Sequence, residues 1–210
     1  MKAGQSCWCS QLPRRCCGWA PAGAAAWPGQ GLFSRAPINK LDDLKGLKFR
    51  VNNDATKYIA EVAGALPVDI AANNLAKAIQ AGNVDVMVTS STTGVDSQAW
   101  NAMGYFIDMR AWIPKNLVCI SEQVWAKLPA ATKAAMETAA KQAEARSWQL
   151  AKEADDGAQK ILVERGVKIS TPSFELRRSL DTLGERFARE WSKTVGMAGA
   201  TALLTYYFPK

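Results

Sequence analysis

An α/β fold built on a parallel sheet is the prediction for this 210-residue chain, and three observations carry it. Short apolar runs alternate with helical patterns between residues 46 and 89, the order that parallel βαβ units produce. Gly64 and Gly82 close the two helical patterns, where a left-handed stop belongs. From about 130 to 164 alanines and larger apolar residues recur at steps of three and four, which predicts one long helix.

Residues 1–26 lack helical or strand periodicity, and they read as an atypical, disordered leader or the product of an altered gene start. Trp27-Pro28-Gly29-Gln30-Gly31 reads as a hinge or linker, which two glycines would let bend. Residues 46–51 alternate Leu47, Phe49 and Val51 with Lys48 and Arg50, a strand. A helix over 54–64 takes Asp54 as its N-cap. Leu66-Pro67-Val68-Asp69-Ile70 reads as an edge strand, because proline cannot donate to a ladder. A helix over 72–81 and a buried strand over 84–89 complete the alternation.

Beyond Trp112 the pattern predicts a strand over 116–120, a short helix over 122–128 and the long helix, with Pro129 suited to its first turn. A short strand over 166–170 precedes a last helix over 173–195, striped by Leu176, Leu180, Leu183, Phe187, Trp191 and Val195.

Composition narrows the function. The formal charge is +7, yet the first 37 residues hold four bases and no acid, leaving 22 basic side chains against 19 acidic ones elsewhere. Mixed charges of that kind are solvated helix faces, and no nucleic-acid recognition module is present. No apolar run approaches the length that spans a bilayer. Histidine is absent, which removes the usual general base and the commonest metal ligand. No phosphate loop or paired-carboxylate motif stands out, so neither catalysis nor a cofactor nor a metal is expected. Cys7, Cys9, Cys16 and Cys17 lack zinc-knuckle spacing, and Cys119 reads as a small buried hydrophobe in its strand. The basic residues at Arg14 and Arg15 come too late, and Pro21 and Gly23 break the stretch behind them, so no convincing signal peptide is read.

Arg50 is the residue of greatest interest. An arginine at a strand end can be solvated or paired with Asp54, or it can grip a carboxylate through two parallel N–H···O bonds. The residues alone leave both readings open. The surrounding run, Ile38-Asn39-Lys40-Leu41-Asp42-Asp43-Leu44-Lys45-Gly46-Leu47-Lys48-Phe49-Arg50-Val51, resembles the extracytoplasmic solute-binding proteins of TRAP transporters, the DctP-like family. In that family a "DLKGLKxR" stretch carries the arginine that binds the solute's carboxylate. The resemblance runs from about Trp27 to Val195.

Several expectations come with it. The fold would be periplasmic-binding-protein-like, a two-lobe type II-like α/β fold, here lacking much of the first lobe and keeping a long connecting helix. Residues 27–38 would be the hinge segment, 39–115 the second α/β lobe, and 116–210 a return strand, the long helix and C-terminal helices packing on both lobes. The chain would capture a small organic acid through Arg50 and deliver it to TRAP membrane permease subunits, in the periplasm.

Thr89, Ser90 and Ser91 follow a buried strand at the carboxyl edge of the sheet, where open α/β folds bind ligands. Their hydroxyls suit an acid, although a plain N-cap run explains them equally well. Many members of the family carry a Gln-Glu-Asn run near this point, and this chain has Met87-Val88-Thr89 instead. Trp112 and Asn116, in a Trp-Ile-Pro-Lys-Asn segment similar to one in some members, are the other pocket candidates. Trp100, Tyr105 and Phe106 are expected mostly in the core, as are Met87 and Met103. The alternatives are a silent remnant of such a receptor, an enzyme using Ser90 or Ser91 with a lysine, and a helix-mediated interaction module over 130–195.

Overall fold

The structure is a computed structural model that describes residues 19–207. In chain order the strands are β1 (Trp19–Ala26), β2 (Gln30–Ser34), β3 (Lys48–Val51), β4 (Leu66–Asp69), β5 (Val86–Ser90), β6 (Tyr105–Ile107), β7 (Lys115–Ser121) and β8 (Lys168–Ser170). The α-helices are α1 (Asp54–Val62), α2 (Leu75–Gln80), α3 (Ser91–Asp96), α4 (Glu122–Lys127), α5 (Ala130–Glu164), α6 (Phe174–Thr194) and α7 (Gly196–Tyr207). They fall into two compact units, one of Met1–Pro28 with Ile113–Asp155 and one of Gly29–Trp112 with Asp156–Lys210.

The second unit holds a six-stranded sheet in the order β4-β3-β5-β2-β6-β8. Strands β3, β4 and β5 run parallel, as the βαβ alternation requires. Strand β2 runs antiparallel to both β5 and β6, so the sheet is mixed and not wholly parallel. Residues 30–34, expected within a hinge segment, are therefore a central strand. Leu32 and Phe33 point to opposite faces and are both buried, so β2 carries no polar alternation to announce it. Strand β6 escaped the sequence reading because it is only three residues long.

Each face of the sheet has its own core. One holds Leu32, Phe49, Val51, Val86 and Val88 with Ala60 of α1 and Leu176 of α6. The other holds Phe33, Met87, Met103 and Phe106 with Leu75 and Ile79 of α2 and Leu162 of α5. Phe33 and Phe106 stack with centroids 4.4 Å apart. A Cβ on Gly31 would come 2.4 Å from the Phe106 ring, so glycine is required there by close approach.

Helix α1 begins where expected, but its cap is Asn53, whose side chain accepts from the Thr56 N–H, and not Asp54. Gly64 and Gly82 stop α1 and α2 at φ of +65° and +72°, a conformation glycine adopts without a Cβ clash. Arg35 fastens the end of α2, donating from Nε to Val84 O and from a terminal nitrogen to Ile79 O, and it pairs with Asp85 at 3.2 Å. Ser173 caps α6. Helix α7 lies beyond the last helix read from the sequence.

In the first unit β1 and β7 form a two-stranded antiparallel ladder with an irregularity between Pro21 and Gly23. Residues 19–26 are thus a strand, which corrects the disordered reading of that stretch. The expectations for residues 1–18, including the four early cysteines, lie outside the described residues. Helix α5 spans Ala130–Glu164 as the periodicity predicts, and its residues from Asp156 onward belong to the second unit. Within the first unit it approaches β1 closely, since a Cβ on Gly23 would lie 3.3 Å from that of Ala140. Lys115 sits 4.9 Å from the centre of the Trp148 ring. Cys119 is exposed, which corrects its assignment as a buried hydrophobe.

Candidate functional site

Strand β3 sets the site through its alternation. Phe49 and Val51 enter one core, so Arg50 projects from the opposite face, level with Val68 of β4 and Met87 of β5. It is 3% exposed. Its Nε donates to the carbonyl of Ile70 at 3.0 Å, just past the end of β4. The Ile70 N–H donates in turn to Val51 O at 3.4 Å, which holds that carbonyl in place.

This corrects the solvated reading of Arg50, and no ion pair with Asp54 forms among the described residues. The other four guanidinium N–H groups have no hydrogen-bond partner among the described residues. Burial lowers the pKa of the guanidinium, and the negative charge of Asp69 works against that shift. An arginine remains protonated under such pressure. The result is a fixed positive charge, anchored at Nε, whose terminal nitrogens are unused.

Thr89 lies on the same face of the sheet, two residues beyond Met87 and therefore toward the carboxyl ends of β3 and β5. It is 5% exposed, and its hydroxyl makes no hydrogen bond among the described residues. Ser90 is engaged differently. Its Oγ accepts from the Thr93 N–H at 3.2 Å and lies 2.8 Å from the Thr92 hydroxyl, capping α3. Ser91 is fully buried in the first turn of that helix.

Trp112 sits elsewhere. It packs against the core on the other face of the sheet and lines a groove of about 610 Å³ with Tyr58 and Ile59 of α1 and Leu180 and Phe187 of α6. That groove does not include Arg50. A second cavity, about 500 Å³, is lined by Val68, Asp69, Ile70 and Asn74 beside the edge strand. Asn116 is an exposed residue of β7 in the other unit, opposite Ala25. Arg50, Thr89 and Ser90 thus belong to strands of one sheet, Ser91 to the helix that follows β5, and Trp112 packs against the core on the face opposite Arg50.

The sequence reading missed Ile70 and Asp69. A main-chain carbonyl has no sequence signature, and Asp69 acts through its charge without contact. Among the described residues no three metal-ligating side chains converge, and no helix is long and apolar enough to cross a membrane.

Comparison with known proteins gives a consistent result. The profile of the bacterial extracellular solute-binding protein family 7 (DctP) matches residues 30–194. The crystal structure of DctP7 of Bordetella pertussis, an extracytoplasmic solute receptor binding pyroglutamic acid, superposes with a TM-score of 0.84 at 32% identity. That match covers 90% of this chain and 63% of DctP7. DctP6 of the same organism, also a pyroglutamic acid receptor, gives 0.81 at 34% identity over 87% of this chain and 61% of its own. A solute-binding protein of Albidiferax ferrireducens is 25% identical over 147 residues, 68% of this chain and 44% of the relative. The sialic acid-binding periplasmic protein SiaP of Vibrio cholerae is 24% identical over 73% of this chain and 49% of its own. The chain spans about half the length of the curated relatives it matches.

Proposed function

The chain belongs to the bacterial extracellular solute-binding protein family 7, and from that membership we propose that Arg50 captures the carboxylate of a small organic acid for a TRAP-type transporter. One observation carries the reading: a guanidinium 3% exposed holds a single hydrogen bond, through Nε, to Ile70. A buried cation is costly unless an anion and hydrogen bonds compensate it. With Nε occupied, the two terminal nitrogens present a planar pair of donors, which matches the two oxygens of a carboxylate.

Thr89 supplies the second contact in this reading. Its hydroxyl, on the same face and without a partner, can donate to the acid or to a ring carbonyl. Trp112 and Asn116, the other pocket candidates of the sequence pattern, are not used in this reading. The two Bordetella receptors, at 32% and 34% identity, bind pyroglutamic acid, a compact ring with one carboxylate. A monocarboxylic acid of that size is the substrate class we assign. Capture would take place in the periplasm, with delivery to the membrane permease. The reading assigns binding and not turnover.

Isothermal titration with pyroglutamate, and a thermal-shift series of small mono- and dicarboxylic acids, test it. A one-to-one isotherm that disappears in Arg50→Ala is the expected result. Equal binding by wild type and Arg50→Ala, or no binding of any acid by a chain that melts cooperatively, overturns it.

A further inference from the structure

Asp69 is held beside the anchor of Arg50. On β4, Val68 lies opposite Arg50 and Asp69 opposite Val51. The next residue, Ile70, bonds to β3 in both directions: its carbonyl accepts from Arg50 Nε at 3.0 Å, and its N–H donates to Val51 O at 3.4 Å. The backbone of Asp69 is therefore fixed between two residues joined to β3, about 5 Å away, the spacing of neighbouring strands. By strand alternation its side chain leaves β4 on the face opposite to that of Val68 and Arg50, and it is exposed. Asp69 and Arg50 make no direct ion pair among the described residues.

Other charges near the guanidinium are few. Val68, Met87 and Thr89, on its face of the sheet, carry none. Lys48, the other basic residue of β3, sits at the opposite end of the strand, where its Nζ donates to Gly82 O at 2.9 Å. Among the described residues the one charge acting on Arg50 is that of Asp69. One cation and one anion leave this end of the sheet close to neutral. A first carboxylate meets the unused donors of Arg50. A second would find no second cation, and it would enter the field of Asp69 with the same sign.

We propose that Asp69 is a specificity-determining residue, whose carboxylate makes the Arg50 site favour monoanionic acids over dianionic ones. The inference rests on the carboxylate reading above and deepens it. That reading takes the monocarboxylate class from the ligands of two relatives, whereas here the class follows from the charges of this chain. Two like charges about 8 Å apart, at an effective dielectric of roughly 40, change an affinity about fivefold. The effect is electrostatic and acts partly through solvent, so salt weakens it.

Titration calorimetry of the full 210-residue chain with pyroglutamate and with succinate tests it, in wild type, Asp69→Asn and Asp69→Glu. At neutral pH pyroglutamate carries one negative charge and succinate two. Wild type should bind pyroglutamate the more tightly. In Asp69→Asn, which keeps the shape and removes the charge, the ratio of the two affinities should fall about fivefold, chiefly through a gain in succinate binding. Asp69→Glu should keep the wild-type ratio within about twofold, because the charge is retained. The difference between wild type and Asp69→Asn should shrink as salt rises from about 20 mM to about 500 mM, which a packing effect would not do. An unchanged ratio in Asp69→Asn, or an equal weakening of both acids, overturns the proposal and leaves the carboxylate reading standing. Binding of neither acid by wild type overturns this inference together with that reading.

Discussion

The Nε of Arg50 donates to the carbonyl of Ile70 at 3.0 Å, while the Ile70 N–H donates to the carbonyl of Val51. Residues from two adjacent parallel strands thus interlock, and the guanidinium is held by its inner nitrogen. What remains free is the outer pair of donors. In the carboxylate reading proposed above, the charge is pre-oriented before the anion arrives, so less side-chain entropy would be lost on binding.

That arrangement makes the arginine hard to replace. Arg50→Lys keeps the charge but loses both the Nε anchor and the planar pair of donors. Affinity for a small carboxylate should fall on the order of a hundredfold, and Arg50→Ala should lose about 3–5 kcal/mol, because the carboxylate is left without its partner. Titration calorimetry with pyroglutamate reads both values. Equal affinity in Arg50→Lys would mean that a point charge is enough and that the bidentate geometry is irrelevant.

Thr89 differs from Ser90 in having a hydroxyl with no hydrogen bond among the described residues. Thr89→Val keeps the branched shape and removes the hydroxyl. It should leave the melting midpoint within about 1–2 °C of wild type while weakening acid binding about tenfold, the worth of one hydrogen bond. A large loss of stability with unchanged affinity would instead make Thr89 a structural residue.

The sequence announced those elements whose polar and apolar residues follow a strand or helix period. Strand β3 alternates, α1 and α6 are amphipathic, and the alanine-rich period of α5 persists over its whole length. Strand β2 was hidden because Leu32 and Phe33 are both buried, which erases alternation. Strand β1 was hidden because Pro21, Gly23 and a run of alanines give it neither β-branched residues nor alternation. At the candidate site, the surroundings of Arg50 singled it out in the sequence. Its anchor was not legible, because a main-chain carbonyl 20 positions away leaves no mark in the side chains. The hydroxyl run could not be sorted either: which of Thr89, Ser90 and Ser91 caps a helix depends on where the helix begins.

Ser90 is where it begins. The Ser90 Oγ accepts from Thr93 N–H and meets two threonine hydroxyls within 3.0 Å. Ser90→Ala should cost about 1 kcal/mol, the usual loss of a cap, and lower the midpoint by about 2–4 °C. Ligand affinity should change less than in Thr89→Val. An affinity loss larger than that of Thr89→Val would move Ser90 into the binding contacts.

Gly94 is fixed by the core. A Cβ at this position would lie 2.2 Å from Cζ of Phe33. Phe33 cannot withdraw, being fully buried and stacked on Phe106. Overpacking of this kind costs about 1–3 kcal/mol. Gly94→Ala should therefore lower the midpoint although alanine favours a helix. A midpoint equal to or above wild type would show that the Phe33 ring has room to move.

Asp43 gives the fold a pH dependence of definite sign. Its Oδ2 accepts from the N–H groups of Asn39 at 2.8 Å and Lys40 at 3.1 Å. The bond from Asn39 is the largest cause lowering its pKa; burial opposes it, and the bond from Lys40 and the charge of Lys40 add to the lowering. A carboxyl whose folded pKa lies below its unfolded value stabilises fully above the unfolded value, about 3.9, and ceases to do so as pH falls through the folded one. Asp43→Ala should thus destabilise by about 1 kcal/mol at neutral pH. The gap between wild type and variant should narrow as pH falls below about 4, because protonation takes from the wild type what the substitution took from the variant. Urea melts of both proteins at about pH 7, 5 and 3 measure that gap. A gap as wide at the lowest pH as at neutrality would mean that the carboxylate's charge has no part in holding this turn.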